Sequence, residues 1–305
     1  MMTPPQPPPE PELDDFDFIG VLGEGGFARV SKVRHRRTFD VFALKEAFFP
    51  SPDAVEEAEV LLRAASFPSP YVVQHHAVYL APDGGLSSVL EFMDAGSLHA
   101  VLYCRDLVVR FPEPVLAEVA HRCLMGLAQL HSRGVAHLDV KPDNFLCNAR
   151  GDVKINDFNA SRILYGLAGE KLLVATDMGT HAYFSPERFD PDALADPRAA
   201  MAADVWGLGL TVLELFLGRA PVVTEAEDKK KAEDWKKAIC DREPPFSVPE
   251  DVHASPELRD FVAACLHKDP TRRARVPYLL KHTFVTNRDA AAASAALRHI
   301  IMENL

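Results

Sequence analysis

From residue 16 the chain runs in short apolar or alternating stretches. "FDFIGVL", "ARVSKVRH" and "DVFALKEA" have the period-two pattern of strands, the first two separated by a glycine cluster. The period then changes. In "SPDAVEEAEVLLRAA", Ala58, Leu61, Leu62 and Ala65 fall at helical spacing, with Ser51 or Asp53 as N-cap. Strand patterns return in "YVVQHHAVYL" and "LSSVLEFM", with the turn "PDGG" between them. Beyond Gly96 the pattern is helical. "EPVLAEVAHRCLMGLAQLHSRG" carries Leu116, Ala120, Cys123, Leu124, Leu127 and Leu130 on one face and ends at Gly134, a C′ residue. Helices are also predicted for "MAADVWGLGLTVLELFLGR", "PELRDFVAACLHK", "VPYLLKHTFV" and the alanine-rich tail "RDAAAASAALRHIIMENL".

These elements predict an α+β protein with a proline-rich, acidic arm over 1–15, extended and solvated. A small β-rich half with one main helix follows over 16–90, then a joint over 91–96, a larger helical half over 97–285 and a helical tail over 286–305. No internal repeat is visible.

Composition narrows the function classes. The chain has 305 residues, 48% of them hydrophobic and 25% charged, ordinary values for a globular protein. A net charge of -11 and a pI near 5.5 argue against nucleic-acid and polybasic membrane partners. No uninterrupted apolar run reaches the roughly 18 to 20 residues that cross a bilayer. "MMTPPQPPPEPELDD" has neither the basic flank and apolar stretch of a secretory signal nor a glycine for myristoylation. The five cysteines are widely spaced without a C-x-x-C pair, so buried free thiols in a reducing compartment are expected. His75 and His76 are adjacent, point apart on a strand, and make no metal site.

Several residues carry candidate chemistry. "LGEGGFARV" lies between two strands, so Gly23, Gly25 and Gly26 read either as a plain hairpin turn or as a flap whose backbone N–H groups approach phosphate oxygens. Lys45 ends the apolar run Val41, Phe42, Ala43, Leu44, and a partly buried lysine there needs an acidic partner, which Glu57 or Glu59 offers. "HLDVKPDNFLCNARGDVKINDFNA" then supplies Asp139 to take a proton from an attacking hydroxyl and Lys141 to neutralise a phosphoryl group. Asn144 and Asp157 supply hard oxygens for Mg2+.

In order, L-G-E-G-G-F-A-R-V, F-A-L-K, H-L-D-V-K-P-D-N, D-F-N and S-P-E resemble the signature set of protein kinases. The resemblance runs from about Asp15 to Phe284 and implies a two-lobed kinase fold using ATP and Mg2+. "DVKPDN" looks like a Ser/Thr-type catalytic loop. "LEFMDAGSL", "GTHAYFSPERF", "AICDREPP" and "HKDPTRRARVPYLLKHTF" are similar to MAP kinase kinases, most closely those of plants. By that resemblance Leu22, Gly23, Gly25, Gly26, Val30, Ala43 and Lys45 surround the nucleotide. Leu90 is the gatekeeper, Glu91 and Met93 offer hinge backbone to adenine, and Leu146 forms the pocket floor. Glu57 is the helix partner of Lys45, Glu187 pairs with Arg273, Asp204 braces the catalytic loop, and His137 is a core residue. The implied partners are a MAP kinase substrate and an upstream MAP kinase kinase kinase, with a monomer in the cytoplasm, and also the nucleus, as the expected setting. The alternative is a pseudokinase that scaffolds a cascade. A metabolic ATP-dependent transferase fits less well, because G-T-x-x-Y-x-S-P-E argues against it.

Four departures stand out. Ala28 replaces the third glycine of the flap, which predicts a modestly altered nucleotide affinity. Leu138 replaces the arginine that grips a phosphorylated activation loop, a task suited to a forked guanidinium. Only Thr176 matches the second of two phosphosites, the first falling on Glu170. Asn159 replaces a glycine, which would shift the balance between the in and out positions of Phe158. The acidic, proline-rich arm also lacks a basic docking motif for a MAP kinase.

Overall fold

The computed structural model describes residues 12–50, 54–65, 67–104, 108–166, 169, 178–194, 196–222, 232–241 and 246–303. Ser51 and Asp53, and Glu170 and Thr176 of the activation segment, lie outside the described residues, as does most of the proline-rich arm. Of that arm, Leu13–Asp15 forms a single 3-10 turn closed by a capping box with Glu12. The chain divides into two compact units. One holds the residues up to Pro68 with Gln74–Phe92, and the other holds Ser69–Val73 with Met93 onward.

The first unit is a five-stranded antiparallel sheet: β1 (Phe16–Glu24), β2 (Ala28–His35), β3 (Val41–Ala47), β4 (His75–Leu80) and β5 (Leu86–Glu91), in the order β1-β2-β3-β5-β4. One face buries Phe16, Val33, Ala77 and Val89, with Phe42, Leu44 and Tyr79 packed against them. Helix α1 (Ala54–Ala65) packs on β4. Its buried face is Ala54, Val60, Leu61, Ala64 and Ala65, whereas Leu62 is 54% exposed. Of the expected stripe, Leu61 and Ala65 are buried, Ala58 is half-buried and Leu62 is exposed, while Val60 and Ala64 join the buried face. "YVVQHHAVYL" is likewise not one strand. Val72 and Val73 leave this unit and pair beside Ile155 in the other. A register shift falls between His75 and Ala77, and His75 is buried while His76 is exposed, its ring 5.0 Å from that of Phe42.

The second unit is helical. It starts with α2 (Leu98–Leu102), capped by Ser97, and α3 (Glu113–Ser132), which buries all six predicted face residues. The helix gives way to Gly134 at φ 68, the left-handed C′ position expected from the sequence. Short strands β6 (Val135–Ala136) and β9 (Arg162–Ile163) pair with each other, as do β7 (Phe145–Cys147) and β8 (Val153–Ile155). Then come α4 (Pro191–Leu194), α5 (Pro197–Leu217), α6 (Ala232–Cys240) and α7 (Pro256–Cys265). On average α5 is long and apolar enough to cross a bilayer, yet it carries Asp204 and Glu214 and is buried against α3 and α7, so it is a core helix. "VPYLLKHTFV" forms two single turns, α8 (Val276–Leu279) and α9 (Thr283–Thr286), instead of one helix. The His282 side chain accepts the Phe284 N–H and starts the second turn.

The tail forms α10 (Ala290–Glu303) and docks on α3 through buried Ala293, Leu297 and Ile301. A polar cluster closes this contact. Buried Glu118 of α3 accepts from Arg122 at 2.7 Å, Arg288 at 2.8 Å and Ser294 at 3.0 Å. Burial pushes the Glu118 carboxyl up, but the two arginines and the serine hold it below its usual value overall. Cys123, Cys147 and Cys265 are fully buried free thiols, while Cys104 and Cys240 are half-buried.

Candidate active site

Within the first unit, the hairpin between β1 and β2 turns at Gly25–Phe27. The Gly25 N–H donates to the Ala28 carbonyl at 3.0 Å, and the Phe48 N–H donates to the Phe27 carbonyl at 2.9 Å. A Cβ on Gly23 or Gly26 would meet nothing within 4 Å, so internal packing does not demand a glycine at either position. Open space beside a strand hairpin is what a backbone that must approach a bulky anion requires. Ala28 does not lie in the left-handed region, so its methyl group carries no backbone strain.

Behind the turn, the register places Val30 opposite Lys45 and Ala43 opposite Leu90. Lys45 is half-buried, Leu90 is 4% exposed, and Leu22 on β1 is exposed. Glu91 donates its N–H to the Gln74 carbonyl at 2.8 Å. The two acids offered to Lys45 differ: Glu59 pairs with Arg63 at 2.8 Å on the exposed side of α1, while Glu57 sits half-buried in the first turn.

In the second unit, Asp94–Gly96 runs along β7. The Ala95 N–H donates to the Cys147 carbonyl at 3.1 Å, and the Cys147 N–H to the Gly96 carbonyl at 2.7 Å. This brings buried Met93 and half-buried Leu146 to one side of β7. There the Asn148 amide lies 3.9 Å from the Met93 sulfur, and Leu146 bridges to Ser97.

The catalytic-loop residues are held by α5. Asp204, 1% exposed, accepts the His137 N–H at 2.9 Å, the Leu138 N–H at 2.7 Å and the His131 Nε2 at 2.8 Å. The close approach needs Gly207, where a Cβ would lie 2.6 Å from the Val140 carbonyl oxygen. His137 is fully buried with both ring nitrogens engaged, Nε2 donating to the Asn156 carbonyl at 2.9 Å and Nδ1 accepting the Asp139 N–H at 3.3 Å. Its ring lies edge-on to buried Phe158 at 5.5 Å.

Asp139 is the centre of the network. Lys141 Nζ donates to its Oδ2 at 2.8 Å, Asn144 Nδ2 to the same oxygen at 2.9 Å, and the Thr180 N–H to Oδ1 at 2.8 Å. Lys141 also donates to the Thr180 hydroxyl. Burial pushes the Asp139 carboxyl up, yet the Lys141 ammonium and the other donors outweigh it and hold the group below the usual carboxylate range. It is a carboxylate at neutral pH, as a proton acceptor must be.

Asn144 gives its amide N–H groups to Asp139 at Oδ2 and at the main-chain carbonyl. That leaves its Oδ1 as the atom suited to a hard cation. Its carbonyl accepts the Asn156 N–H at 2.8 Å, which ties the backbone leading to Asp157 to the same loop. Asp157 adopts φ 63, and the exposed Asn159 does not lie in the left-handed region. The left-handed residue of D-F-N is Asp157, not Asn159.

Leu138, at the position where the kinase pattern has arginine, has a left-handed backbone with φ 62. Its side chain is 4% exposed in an apolar cluster with Ala136, Ala160, Leu164, Leu194, Ala200 and Ala203. Glu187 and Arg273 form the expected buried pair, with Nη2 to Oε2 at 2.9 Å.

Two buried polar residues were missed in the sequence. Glu214 lies on the apolar helix α5 and accepts hydrogen bonds from Tyr183 and, at 3.3 Å, from Tyr103. Burial and the Glu214 carboxylate raise both phenols, Tyr103 to about 12. A lone acid within "TVLELFLG" was the available signal, since a charge in an apolar run needs partners. Arg188, directly after S-P-E, carried no comparable signal.

Comparison with known proteins agrees with this geometry. The family profile described as "Protein kinase domain" matches residues 16–285. Mitogen-activated protein kinase kinase 10 of Arabidopsis thaliana is 40% identical over 290 residues, covering 93% of the chain and 88% of the relative. Mitogen-activated protein kinase kinase 9 of the same plant is 37% identical, covering 89% and 84%. MAP kinase kinase PBS2 of Saccharomyces cerevisiae is 34% identical over 282 residues, covering 90% of the chain and 40% of that longer protein.

Proposed function

The chain belongs to the protein kinase family and, within it, to the MAP kinase kinases, and from that membership we propose that it phosphorylates the threonine and the tyrosine of a MAP kinase activation loop. The donor is ATP with Mg2+, and an upstream MAP kinase kinase kinase is its activator in the cascade. The free thiols favour a reducing compartment, the cytoplasm or nucleus.

The observation that carries the catalytic part of this reading is the Asp139 network. Transfer needs a carboxylate in place before substrate arrives, a cation beside it and fixed geometry. Asp139 accepts the proton of the attacking hydroxyl on a carboxylate already oriented by Thr180 at Oδ1 and by Asn144 at Oδ2. Lys141 offsets negative charge at the same point. Asn144 Oδ1 and the Asp157 carboxylate would hold the metal ion, which when bound would supply positive charge beside the phosphates. Lys45, with half-buried Glu57 as its acidic partner by the family pattern, would hold phosphate oxygens. Gly23, Gly25 and Gly26 present N–H groups to them. Within the first unit Val30, Ala43 and Leu90 offer apolar surface to the base, and Glu91 offers a main-chain group.

The test is a transfer assay of the full chain against a panel of MAP kinases, with Asp139→Asn as control and mass spectrometry of the products. The expected product carries phosphate on both residues of a Thr-x-Tyr loop. Serine sites on unrelated proteins would remove the substrate assignment and keep the kinase. Mg·ATP binding without transfer to any substrate would favour the pseudokinase scaffold.

A further inference from the structure

Arg188 is buried at 7% exposure and forks between two segments. Nη1 donates to the Leu138 carbonyl at 2.5 Å and Nη2 to the Met178 carbonyl at 2.6 Å. Its guanidinium lies 3.9 Å over the Phe184 ring, which in turn stacks on His181 at 4.7 Å. The two carbonyls are not arbitrary. Leu138 directly precedes Asp139, and Met178 stands two residues before Thr180, whose N–H holds Asp139 Oδ1. Arg188 therefore joins the residue before Asp139 to the segment whose Thr180 N–H holds the Asp139 carboxylate.

We propose that Arg188 is a positioning residue that fastens the end of the activation segment to the catalytic loop through main-chain carbonyls, so that Asp139 is oriented without a phosphate. The proposal rests on the kinase reading above. Two observations favour it over a merely space-filling arginine. First, the catalytic-loop side chain next to Asp139 is Leu138, turned into an apolar cluster and unable to bind a phosphoryl group. Second, the planar fork matches two carbonyls on separate segments, which a lysine ammonium cannot span with the same geometry. Burial lowers the Arg188 pKa to about 10, with Asp204, Asp139 and Glu187 acting to raise it, so the cation persists at physiological pH.

The experiment uses phosphatase-treated full-length protein, wild type, Arg188→Lys and Arg188→Met. Three readouts are taken: steady-state kinetics, binding of a non-hydrolysable ATP analogue, and hydrogen exchange of the Thr180 and Tyr183 amides relative to α7. A clamp of this kind predicts kcat lower by about 30- to 100-fold in Arg188→Met and about 10-fold in Arg188→Lys, since small misplacements near the reacting atoms are costly. KM for ATP and analogue binding stay within about twofold, and exchange at Thr180 rises at least about tenfold while α7 is unchanged. Should Arg188→Met fail to fold, Arg188→Lys decides. Unchanged exchange in a folded variant overturns the proposal. So does exchange that rises with no change in kcat, or wild-type protein unprotected at Thr180 after phosphatase treatment. A wild-type protein that transfers no phosphate, but whose Thr180 protection still depends on Arg188, sinks the kinase reading and leaves the clamp standing.

Discussion

The glycine turn at Gly25–Phe27 and the loop from His137 to Asn144 are both expected to handle phosphate, yet they are built in opposite ways. The turn is closed by one backbone hydrogen bond and anchored to the end of β3 by another, with open space at Gly23 and Gly26. The loop is fixed from beneath by Asp204, from the side by Asn144 and Lys141, and from the front by Thr180. A segment that must admit and release a bulky anion keeps few internal contacts, whereas one that must present a proton acceptor is oriented in advance.

The sharpest test of that contrast is Asp139→Asn, which keeps the shape of the loop and removes its base. Transfer is expected to fall about 10³-fold, within the range for a general base, while Mg·ATP binding measured by calorimetry stays within a few-fold. The pH profile gives the sign. Because the folded Asp139 lies below the ordinary carboxylate range, its contribution to stability is present above that range and lost as pH falls through the depressed value. Activity therefore should not decline between pH 7 and 5 on account of this group, and a drop in that window that vanishes in Asp139→Asn would contradict the assignment.

Asp204→Ala should be nearly as damaging by another route. It leaves two buried N–H groups unpaired and is expected to cost about 3 to 5 kcal/mol of stability in urea unfolding. Leu138→Arg comes next, at about 1 to 3 kcal/mol, because it pushes a guanidinium into the apolar cluster of α4 and α5 residues. Leu138→Met should cost less than about 1 kcal/mol. The smallest effect belongs to the turn. Ala28→Gly should change ATP affinity by no more than about twofold and lower stability by under about 1 kcal/mol, since Ala28 has an unstrained backbone.

How much of this could be read from the chain alone varied with the physics involved. The order of strands and helices was legible because each buries one face, and Gly134 marked its helix end by backbone preference. The boundary of β4 was not legible, since Tyr71–Val73 are as strand-like as their neighbours and only pairing with Ile155 draws them away. Leu62 was misplaced because Val60 and Ala64 complete the buried face with Leu61 and Ala65. Asp139, Lys141, Asn144 and Asp157 stood out through their spacing. Arg188 did not, because its two acceptors are main-chain carbonyls, which leave no trace in side-chain patterns. At Asn159 the glycine of the motif did not mark the left-handed residue, which is Asp157.

Glu118 has a consequence for anyone who trims this protein. A cut after residue 285, where the family match ends, would remove Arg288 and Ser294 and uncover Leu297 and Ile301's landing site on α3. The shortened chain would keep every kinase signature and still expose a half-paired acid on a greasy surface, a recipe for aggregation in an expression host. Likeness among relatives marks what they share, while the point at which a polypeptide becomes self-sufficient is set by its own buried charges.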